Sequence, residues 1–281
     1  MKKLNRTIMI GVKFNGRLGN QLFQFTFLRY LKSLSKHQIF FFPNPHHAYF
    51  AKYFDLGVFN NLTLNSKLYS VLMRIIPKAL KFKEVYIQNI QVPKPVEIKN
   101  NTIYTGFFQT DWYINQTPDK LQLKLKKKYI DQFRNLYGDI FDHNKTIAIH
   151  IRRTDYLNYG KRDISLPIEY FKNRLNNISD LSSYRVFFLS DDIDFVKKEF
   201  DVKENFIFSE NSEIIDFQII KNADIAIISN SSFSWWASYL SEKQNKVYAP
   251  KNWLGFRLNK EHPKGIMTKK FIWCDVIEDV I

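Results

Sequence analysis

Residues 150–155 run His, Ile, Arg, Arg, Thr, Asp, and they hold the side chains best suited in this chain to bind an anion. They follow a short apolar, β-branched run at 145–149, which predicts a buried strand. Two neighbouring guanidiniums keep their protons and present planar forks of donors that match phosphate oxygens. Because adjacent strand residues point to opposite faces, we expect Arg152 to reach a ligand while Arg153 braces from the other side. A salt-bridged strand end, with Asp155 paired to Arg153, is the alternative interpretation.

Two other strands of the second half are predicted to end in polar clusters, at 190–194 and 229–234. In a parallel sheet such ends share one edge, and open α/β sheets bind ligands just outside that edge. The serine-rich cluster also leads into a predicted helix, whose first N–H groups attract anions. An arginine and a helix start directed at one pocket suit a diphosphate.

The carboxylates of the first of these clusters allow three interpretations. Asp191 or Asp192 could accept hydrogen bonds from the edge of a guanine or a ribose. Capping of the following helix explains the same residues equally well. A metal site formed by Asp192 and Asp194 is disfavoured, because at a helix start these two side chains point in different directions.

Near the amino end, a predicted strand at 8–14 leads through a turn with two glycines into a helix with regularly spaced apolar residues. The glycines allow a close backbone approach, and the helix start offers N–H groups to an anion. The turn lacks the Gly-Lys-Ser/Thr of a Walker A loop and the glycine pattern that binds dinucleotides. A plain turn capped by Asn20 is one interpretation, but Arg17, Asn20 and Gln21 beside the glycines favour a binding site.

The composition of the 281 residues is that of a globular protein, with 45% hydrophobic and 16% aromatic residues. The single cysteine, Cys274, excludes an internal disulfide and a cysteine-based metal site. The net charge of +15 attracts polyanions, which include phosphorylated ligands, nucleic acid and anionic membranes. The apolar run near the start is too short and too charged for a secretory signal or a membrane span, so we expect a cytoplasmic location.

Strands and helices alternate regularly from residue 146 onwards, and residues 246–249 form the last predicted strand. This alternation predicts an α/β fold with a parallel, doubly wound sheet. A polar stretch without periodicity, 138–145, is expected to link two domains at 1–140 and 141–281.

A helix is expected at 118–137, with a basic face that includes Lys124 and residues 126–128. That face is either solvated or directed at nucleic acid or anionic headgroups. The adjacent histidines His46 and His47 are expected at the surface or in packing rather than at a metal, because neighbouring residues do not share a helical face.

Five motifs, taken in order, make this chain resemble the α-1,2-fucosyltransferases of glycosyltransferase family 11. The motifs lie at 16–24, 106–109, 150–155, 189–192 and 230–237. Each is weak alone, but the ordered set covers most of the chain and is specific. The Arg-x-Gly-Asn-Gln and His-x-Arg-Arg patterns are also similar to those of α-1,6 and protein O-linked GDP-fucose transferases.

The resemblance implies a GT-B-like architecture of two Rossmann-like, doubly wound domains that face each other across a cleft. It implies transfer of L-fucose from GDP-β-L-fucose to the 2-hydroxyl of a terminal galactose, with inversion and without a metal or other cofactor. The implied partners are GDP-fucose and a galactose-terminated glycan, with a peripheral contact to the inner face of the plasma membrane as an open expectation. The alternatives are a GT-B transferase of another nucleotide sugar and a basic nucleic-acid-binding protein.

The catalytic residues that the resemblance implies are Arg152, Asp155 and Asn20. By analogy, Arg152 holds the β-phosphate, and Arg17 and Asn20 reach the same phosphate or the fucose. Asp155 is the candidate base by its position, unless it only orients an arginine. A phosphate oxygen of the leaving group could also take the proton.

The residues that the resemblance implies for GDP-fucose binding come from both halves of the chain. In full they are Arg17, Gly19, Asn20, His150, Arg152, Ser190, Asp191, Asp192, Asn230, Ser231, Ser232, Phe233 and Ser234. Among these, His150 with Asp191 or Asp192 would contact guanine or ribose, and the serines would donate from the helix start.

Overall fold

The computed structural model of the protein describes residues 8–34, 38–41, 49–55, 67–118 and 123–276. The predictions for His46 and His47 lie outside the described residues. The chain forms two compact units, which divide between Lys126 and Lys127 rather than near residue 140. The segment Pro263–Ile266 belongs to the first unit, and the rest of the chain after Lys127 belongs to the second.

The first unit contains a parallel sheet with the strand order β2-β1-β5-β4. Its elements are β1 (Ile8–Val12), α1 (Leu18–Ser33), β2 (Gln38–Phe41), a 3-10 turn (Tyr49–Lys52), β3 (Phe54–Asp55), α2 (Lys67–Ala79), β4 (Lys83–Tyr86), β5 (Thr102–Thr105), α3 (Trp112–Asn115) and β6 (Lys124–Leu125). Strands β3 and β6 pair separately in an antiparallel bridge. The order places β1 beside β5, with their carboxyl ends on the same edge.

Helix α1 forms because its apolar residues recur at helical spacing and cover the sheet. Leu22, Phe23, Phe27 and Leu31 are fully buried, so these side chains belong to the core of the first unit. The ring of Phe27 stacks on Phe108 at 3.9 Å between centroids, so α1 is fixed against the segment that follows β5.

The second unit contains a fully parallel sheet with the order β12-β11-β10-β7-β8-β9. Its elements are α4 (Lys127–His143), β7 (Lys145–Ile151), α5 (Ile168–Asn176), β8 (Tyr184–Ser190), α6 (Ile193–Glu199), β9 (Phe206–Phe208), α7 (Glu213–Asn222), β10 (Ile225–Ile228), α8 (Ser232–Tyr239), β11 (Lys246–Pro250) and β12 (Ile272–Cys274), with 3-10 turns at Leu181–Ser183 and Phe256–Leu258. In order of appearance the strands are arranged 3-2-1-4-5-6, which is the Rossmann arrangement. The predicted doubly wound sheet is confirmed.

The central position of β7 explains its sequence. It lies between β10 and β8 and is buried from Thr146 to Ile151, so it needs apolar residues on both faces. Trp235 and Trp236 of α8 are also fully buried, so they pack in the core.

Three sequence-based boundaries were wrong. The helix expected at 118–137 is α4, which begins at Lys127 and ends at His143, while Lys124 belongs to β6. The expected linker at 138–145 completes α4 and starts β7, because Phe141 packs on Phe187 and gives this polar stretch an apolar anchor. The last strand is β12, whose apolar stretch is too short to stand out by periodicity.

Among the described residues, no helix combines the length and the hydropathy needed to cross a bilayer.

Candidate functional site

The best-defined polar site lies where β7 and β10 end, at the point where the strand order of the second sheet reverses. Parallel α/β sheets bind ligands at this switch point. His150 is the last residue but one of β7, and its Nδ1 lies 2.9 Å from the Oγ of Ser229, which directly follows β10. The imidazole also packs on the ring of Phe233, at 5.5 Å between centroids.

The imidazole of His150 is uncharged at neutral pH. Burial, together with the positive charge of Arg152, lowers the pKa of His150 to about 3, although the charge of Asp191 opposes the shift. A neutral ring next to a hydroxyl and a phenyl ring can exchange hydrogen bonds with a ligand, but it does not add positive charge for a phosphate.

Arg152 is held by two carboxylates. Its Nε donates to Oδ1 of Asp155 at 2.8 Å and lies 3.3 Å from Oδ2 of Asp191, and its Nη2 is 2.8 Å from the same Asp155 oxygen. Burial works to lower the pKa of Arg152, but the hydrogen bond to Asp155 and the charge of Asp191 outweigh it and raise the pKa. Within the described part of the chain, these contacts use only the Nε and Nη2 edge, which leaves the Nη1 donors for a ligand.

Asp155 pairs with Arg152, so the alternative in which it pairs with Arg153 is wrong. The physical reason is the turn after β7, where Tyr156 N–H donates to the carbonyl of Arg153 at 2.9 Å and the chain folds back. Arg153 instead has its Nε 3.2 Å from Oδ2 of Asp192 and lies 3.5 Å over the ring of Phe195. Arg153 therefore braces the loop from the other side, as the alternation of the strand predicts.

The carboxylate of Asp191 fixes the backbone that carries these arginines. It accepts from the N–H of Arg153 at 2.8 Å and from the N–H of Thr154 at 3.1 Å, and the Thr154 hydroxyl donates to it as well. With its ion pair to Arg152, Asp191 ties the end of β8 to the loop after β7. This bonding positions Arg152 and leaves Asp191 little capacity for a base or ribose.

Helix capping accounts for the neighbouring residues. Asp192 is the N-cap of α6, and its Oδ1 accepts from the N–H of Phe195 at 3.4 Å. The Oγ of Ser190 accepts from the N–H of Asp192 at 3.0 Å. Asp192 thus caps helix α6, which confirms the capping interpretation of this residue. The same side chain also holds Arg153.

The first turn of α8 closes the other side of the site. Asn230 is buried, and its Nδ2 donates to the carbonyl of Ile164 at 2.8 Å. Ser234 is also buried and donates to the carbonyl of Ser231 at 3.1 Å, so its hydroxyl supports the turn from inside. Ser232 and Phe233 are the first two residues of the helix and are half-buried. They are the residues of this cluster best placed to meet a ligand.

Tyr156 belongs to this site, although we did not predict it from the sequence. Its hydroxyl donates to the carbonyl of Asn230 at 3.3 Å, and its ring lies 5.7 Å from the guanidinium carbon of Arg152. Burial raises the pKa of Tyr156 to about 12, so the phenol stays protonated. Its place directly after the 150–155 motif was the available signal. Ser229 was likewise missed as a partner of His150.

The first unit has its own polar site at its own switch point, where β1 and β5 end. Gln109, in the segment after β5, donates from Nε2 to Oδ1 of Asn20 at 2.8 Å. Asn20 lies in the first turn of α1 and Arg17 occupies the N-cap, so the interpretation of Asn20 as the cap is wrong. Arg17 is exposed and Gly19 is buried.

Two glutamines that follow Asn20 hold the glycine turn in place. Gln21 donates to the carbonyl of Gly16 at 3.1 Å. Gln24 accepts from the N–H of Asn15 at 2.9 Å and donates to the carbonyl of Gly106 at 3.0 Å. Gly16 has φ +77, and a Cβ there would lie 2.5 Å from Nδ2 of Asn20, so only glycine fits. These bonds explain why the 16–24 and 106–109 motifs occur in the same chain.

The candidate residues therefore fall into two groups. Arg152, Asp155 and Asp191 are joined by direct contacts in the second unit, where His150 contacts Ser229 and Phe233, whereas Asn20 and its neighbours belong to the first unit. Across the described ranges, no group of three or more His, Cys, Asp or Glu side chains is arranged to hold a metal ion. Activity without a metal stays a prediction.

Comparisons with known proteins agree with this geometry. A family model described as glycosyl transferase family 11 matches residues 1–273. An α-1,2-colitosyltransferase of Escherichia coli is 26% identical over 279 residues, which cover 87% of this chain and 92% of that protein. A galactoside 2-α-L-fucosyltransferase of Caenorhabditis elegans is 27% identical over 158 residues, or 50% of this chain and 43% of that protein.

Among solved structures, the NodZ α-1,6-fucosyltransferase co-crystallised with GDP matches with a TM-score of 0.51 at 11% identity. The match covers 84% of this chain and 93% of that one. At 11% identity the similarity gives information about the fold only. It confirms the GT-B-like α/β fold that the resemblance implies.

Proposed function

Because the chain belongs to glycosyl transferase family 11, we propose that it transfers L-fucose from GDP-β-L-fucose to the 2-hydroxyl of a terminal galactose in a glycan. The family membership favours a sugar transferase over the nucleic-acid-binding alternative. The galactoside 2-α-L-fucosyltransferase among its relatives supports the acceptor, and the GDP bound by NodZ supports the nucleotide.

The observation that carries the proposal is the guanidinium of Arg152, fixed by Asp155 and Asp191 at the switch point of the second sheet. Negative charge grows on the β-phosphate as GDP leaves, and a donor group that is already in place stabilises it without reorganisation. The two arginines and three aspartates of the cluster carry a formal charge of −1. A bound diphosphate therefore needs further hydrogen-bond donors. The first N–H groups of α8 can supply them, because this helix begins three residues after Ser229, which contacts His150.

In the proposed reaction the bond between the fucose anomeric carbon and the β-phosphate oxygen breaks. A new bond forms from the opposite face to the galactose 2-oxygen, so the configuration inverts. The hydroxyl proton passes to a carboxylate or to a phosphate oxygen of GDP. Since Asp155 accepts from Arg152 through Oδ1, we assign it the role of orienting Arg152.

The colitosyltransferase relative motivates a second candidate donor. Colitose is fucose without its 3-hydroxyl, so GDP-colitose presents the same diphosphate to Arg152. A site that hydrogen-bonds the 3-hydroxyl would discriminate strongly against the sugar that lacks it. The specificity therefore depends on the groups around the sugar ring and leaves the proposed role of Arg152 unchanged.

The proposal is tested by comparing the native protein with Arg152→Ala in thermal-shift and transfer assays. GDP and GDP-fucose should raise the melting temperature of the native protein, and transfer to galactose-terminated acceptors should persist in EDTA. Arg152→Ala should remain folded but lose transfer by about 10³-fold. Exposed Arg162→Ala is the matched control and should stay active. Stabilisation by UDP-sugars alone, or near-full activity of Arg152→Ala, would contradict the proposal, and higher activity with GDP-colitose would favour the second candidate.

A further inference from the structure

Helix α2 carries apolar side chains both on its inner face and on its exposed side. On its inner face, Met73 is buried against Ile103 of β5, and Ile76 packs against the same cluster. On its outer face, Val71, Leu72 and Ile75 are 48%, 43% and 54% exposed. At 3.6 residues per turn, these three residues lie on one side of the helix, away from Met73. Packing on β5 explains the inner face, whereas the outer face stays exposed and has no packing role among the residues that the structure describes.

The exposed apolar face continues beyond the helix. Leu80, in the turn before β4, is 45% exposed. We call Val71, Leu72, Ile75 and Leu80 the α2 patch. Single exposed aliphatic residues are common, but several on one helix face mark an interaction surface.

The segment that carries the α2 patch has charged side chains of one sign only. Residues 56–83 contain no aspartate or glutamate. The cations of this segment are Lys67, Arg74, Lys78, Lys81 and Lys83. Of these, Arg74, Lys78 and Lys81 are exposed beside the patch. The next acid, Glu84, lies 3.8 Å from the amine of Lys13.

We propose that the α2 patch binds the surface of an anionic phospholipid bilayer, with the helix lying in the plane of the interface. A basic amphipathic helix binds in this way because its aliphatic side chains enter the acyl boundary while lysine and arginine stay at the headgroups. Anionic headgroups supply the charge that a segment without acids lacks, and they attract lysine and arginine close to the surface. Nucleic acid would use the cations but would leave the four aliphatic side chains in water.

This assignment gives the expected peripheral membrane contact a location. The basic run at 124–128 is a poorer candidate, because Lys124 lies in β6 and Lys126 Nζ donates to the carbonyl of Ala51 at 2.7 Å. That lysine is already engaged inside the first unit.

Co-sedimentation of the full chain with vesicles tests the proposal. The protein should sediment with vesicles of phosphatidylcholine mixed with phosphatidylglycerol and remain in the supernatant with phosphatidylcholine alone. Ile75→Glu should reduce the bound fraction roughly ten-fold, and Lys78→Glu should also reduce it. Val202→Glu is the matched control, since Val202 is 77% exposed in the second unit, and its binding should equal that of the native protein.

Each variant should keep the native melting temperature, because the altered side chains are exposed. Equal binding by Ile75→Glu and Val202→Glu would overturn the assignment of the surface. Failure of the native protein to sediment with the anionic vesicles would overturn the proposal itself. A dimer in light scattering that Ile75→Glu dissociates, without vesicle binding, would assign the α2 patch to a second copy of the chain instead.

Discussion

At the scale of single residues, the amide of Asn20 depends on Gln109 for its orientation. The Nε2 of Gln109 donates a hydrogen bond to the side-chain oxygen of Asn20. In the described part of the chain, the Nδ2 of Asn20 has no hydrogen-bond partner. A ligand oxygen can accept from that nitrogen. Gln109 is thus a positioning residue for Asn20 in the proposed reaction.

We predict that Gln109→Glu lowers transfer by about ten-fold, the value of one hydrogen bond. A carboxylate only accepts, so it should turn the Asn20 amide and present its oxygen to the ligand. The measurement is kcat and KM for donor and acceptor, with GDP-induced stabilisation as the check on the second unit. Exposed Gln116→Glu makes the same charge change nearby and should be neutral. Equal losses in both variants would mean that the added charge, and not the amide, matters.

We predict that Asp155→Asn retains much more activity than Asp155→Ala. An asparagine oxygen can still accept from Arg152 Nε, so the orientation of the guanidinium is kept, whereas alanine leaves Arg152 with the longer contact to Asp191 alone of its two carboxylates. The comparison is made on kcat with saturating donor and acceptor. If asparagine and alanine abolish transfer equally, Asp155 is the base after all.

At the scale of elements, the chemistry of strand ends could be predicted because it depends on local sequence. A strand followed by polar residues places them at one sheet edge, so the sequence alone predicts the polar clusters at 150–155, 190–194 and 229–234. Bonds between distant elements could not be predicted in this way. The Gln24 amide reaches Gly106, and Tyr156 reaches Asn230, through contacts that no local pattern encodes.

The wrong boundaries have the same origin. Helix α4 looked like a linker near residue 140 because its exposed face is polar, while its core contacts are few and aromatic. Helix α4 packs on the core through the buried side chains of Phe133 and Phe141. These two residues are too far apart in the sequence to show a helical periodicity by themselves. Tertiary packing therefore overrode the local signal.

The contact between the end of β9 and helix α7 makes the stability of the fold depend on pH. Ser209, directly after β9, donates to Oδ1 of Asp216 at 2.5 Å. Burial raises the pKa of Asp216 to about 7, although the serine hydrogen bond opposes the shift. Between the unfolded value of about 3.9 and 7, the folded protein holds a proton that the unfolded chain has released. Stability from this residue is therefore lost as the pH rises towards 7.

We predict that Asp216→Asn is more stable than the native protein at pH 8, by on the order of 2–4 kcal/mol. Asparagine keeps the acceptor for Ser209 and removes the buried charge. The advantage should shrink as the pH falls to 5, where the native carboxyl is already protonated in the fold. Denaturant unfolding at both pH values measures it, with exposed Asp131→Asn as a control that should show no such change. An advantage independent of pH would refute the titration of Asp216.

At the scale of the whole molecule, 42 Lys and Arg face 27 Asp and Glu, which leaves a net charge of +15. Such an excess repels itself in the compact state and attracts anionic ligands and surfaces. Ion pairs such as Arg152 with Asp155 leave this excess unchanged, because each joins one positive and one negative charge. The remaining cations are spread over both units, so the protein as a whole should respond to ionic strength.

We predict that adding sodium chloride at pH 7, from low ionic strength up to about 0.15 M, raises the melting temperature. The Debye length falls to about 8 Å at that concentration and screens the repulsion among the lysines. Near pH 9.6, the isoelectric point, the repulsion is largely gone and the same salt should have little effect. Scanning calorimetry at both pH values separates screening from a general salt effect. A melting temperature that rises equally at both would show that self-repulsion does not limit the stability of this fold.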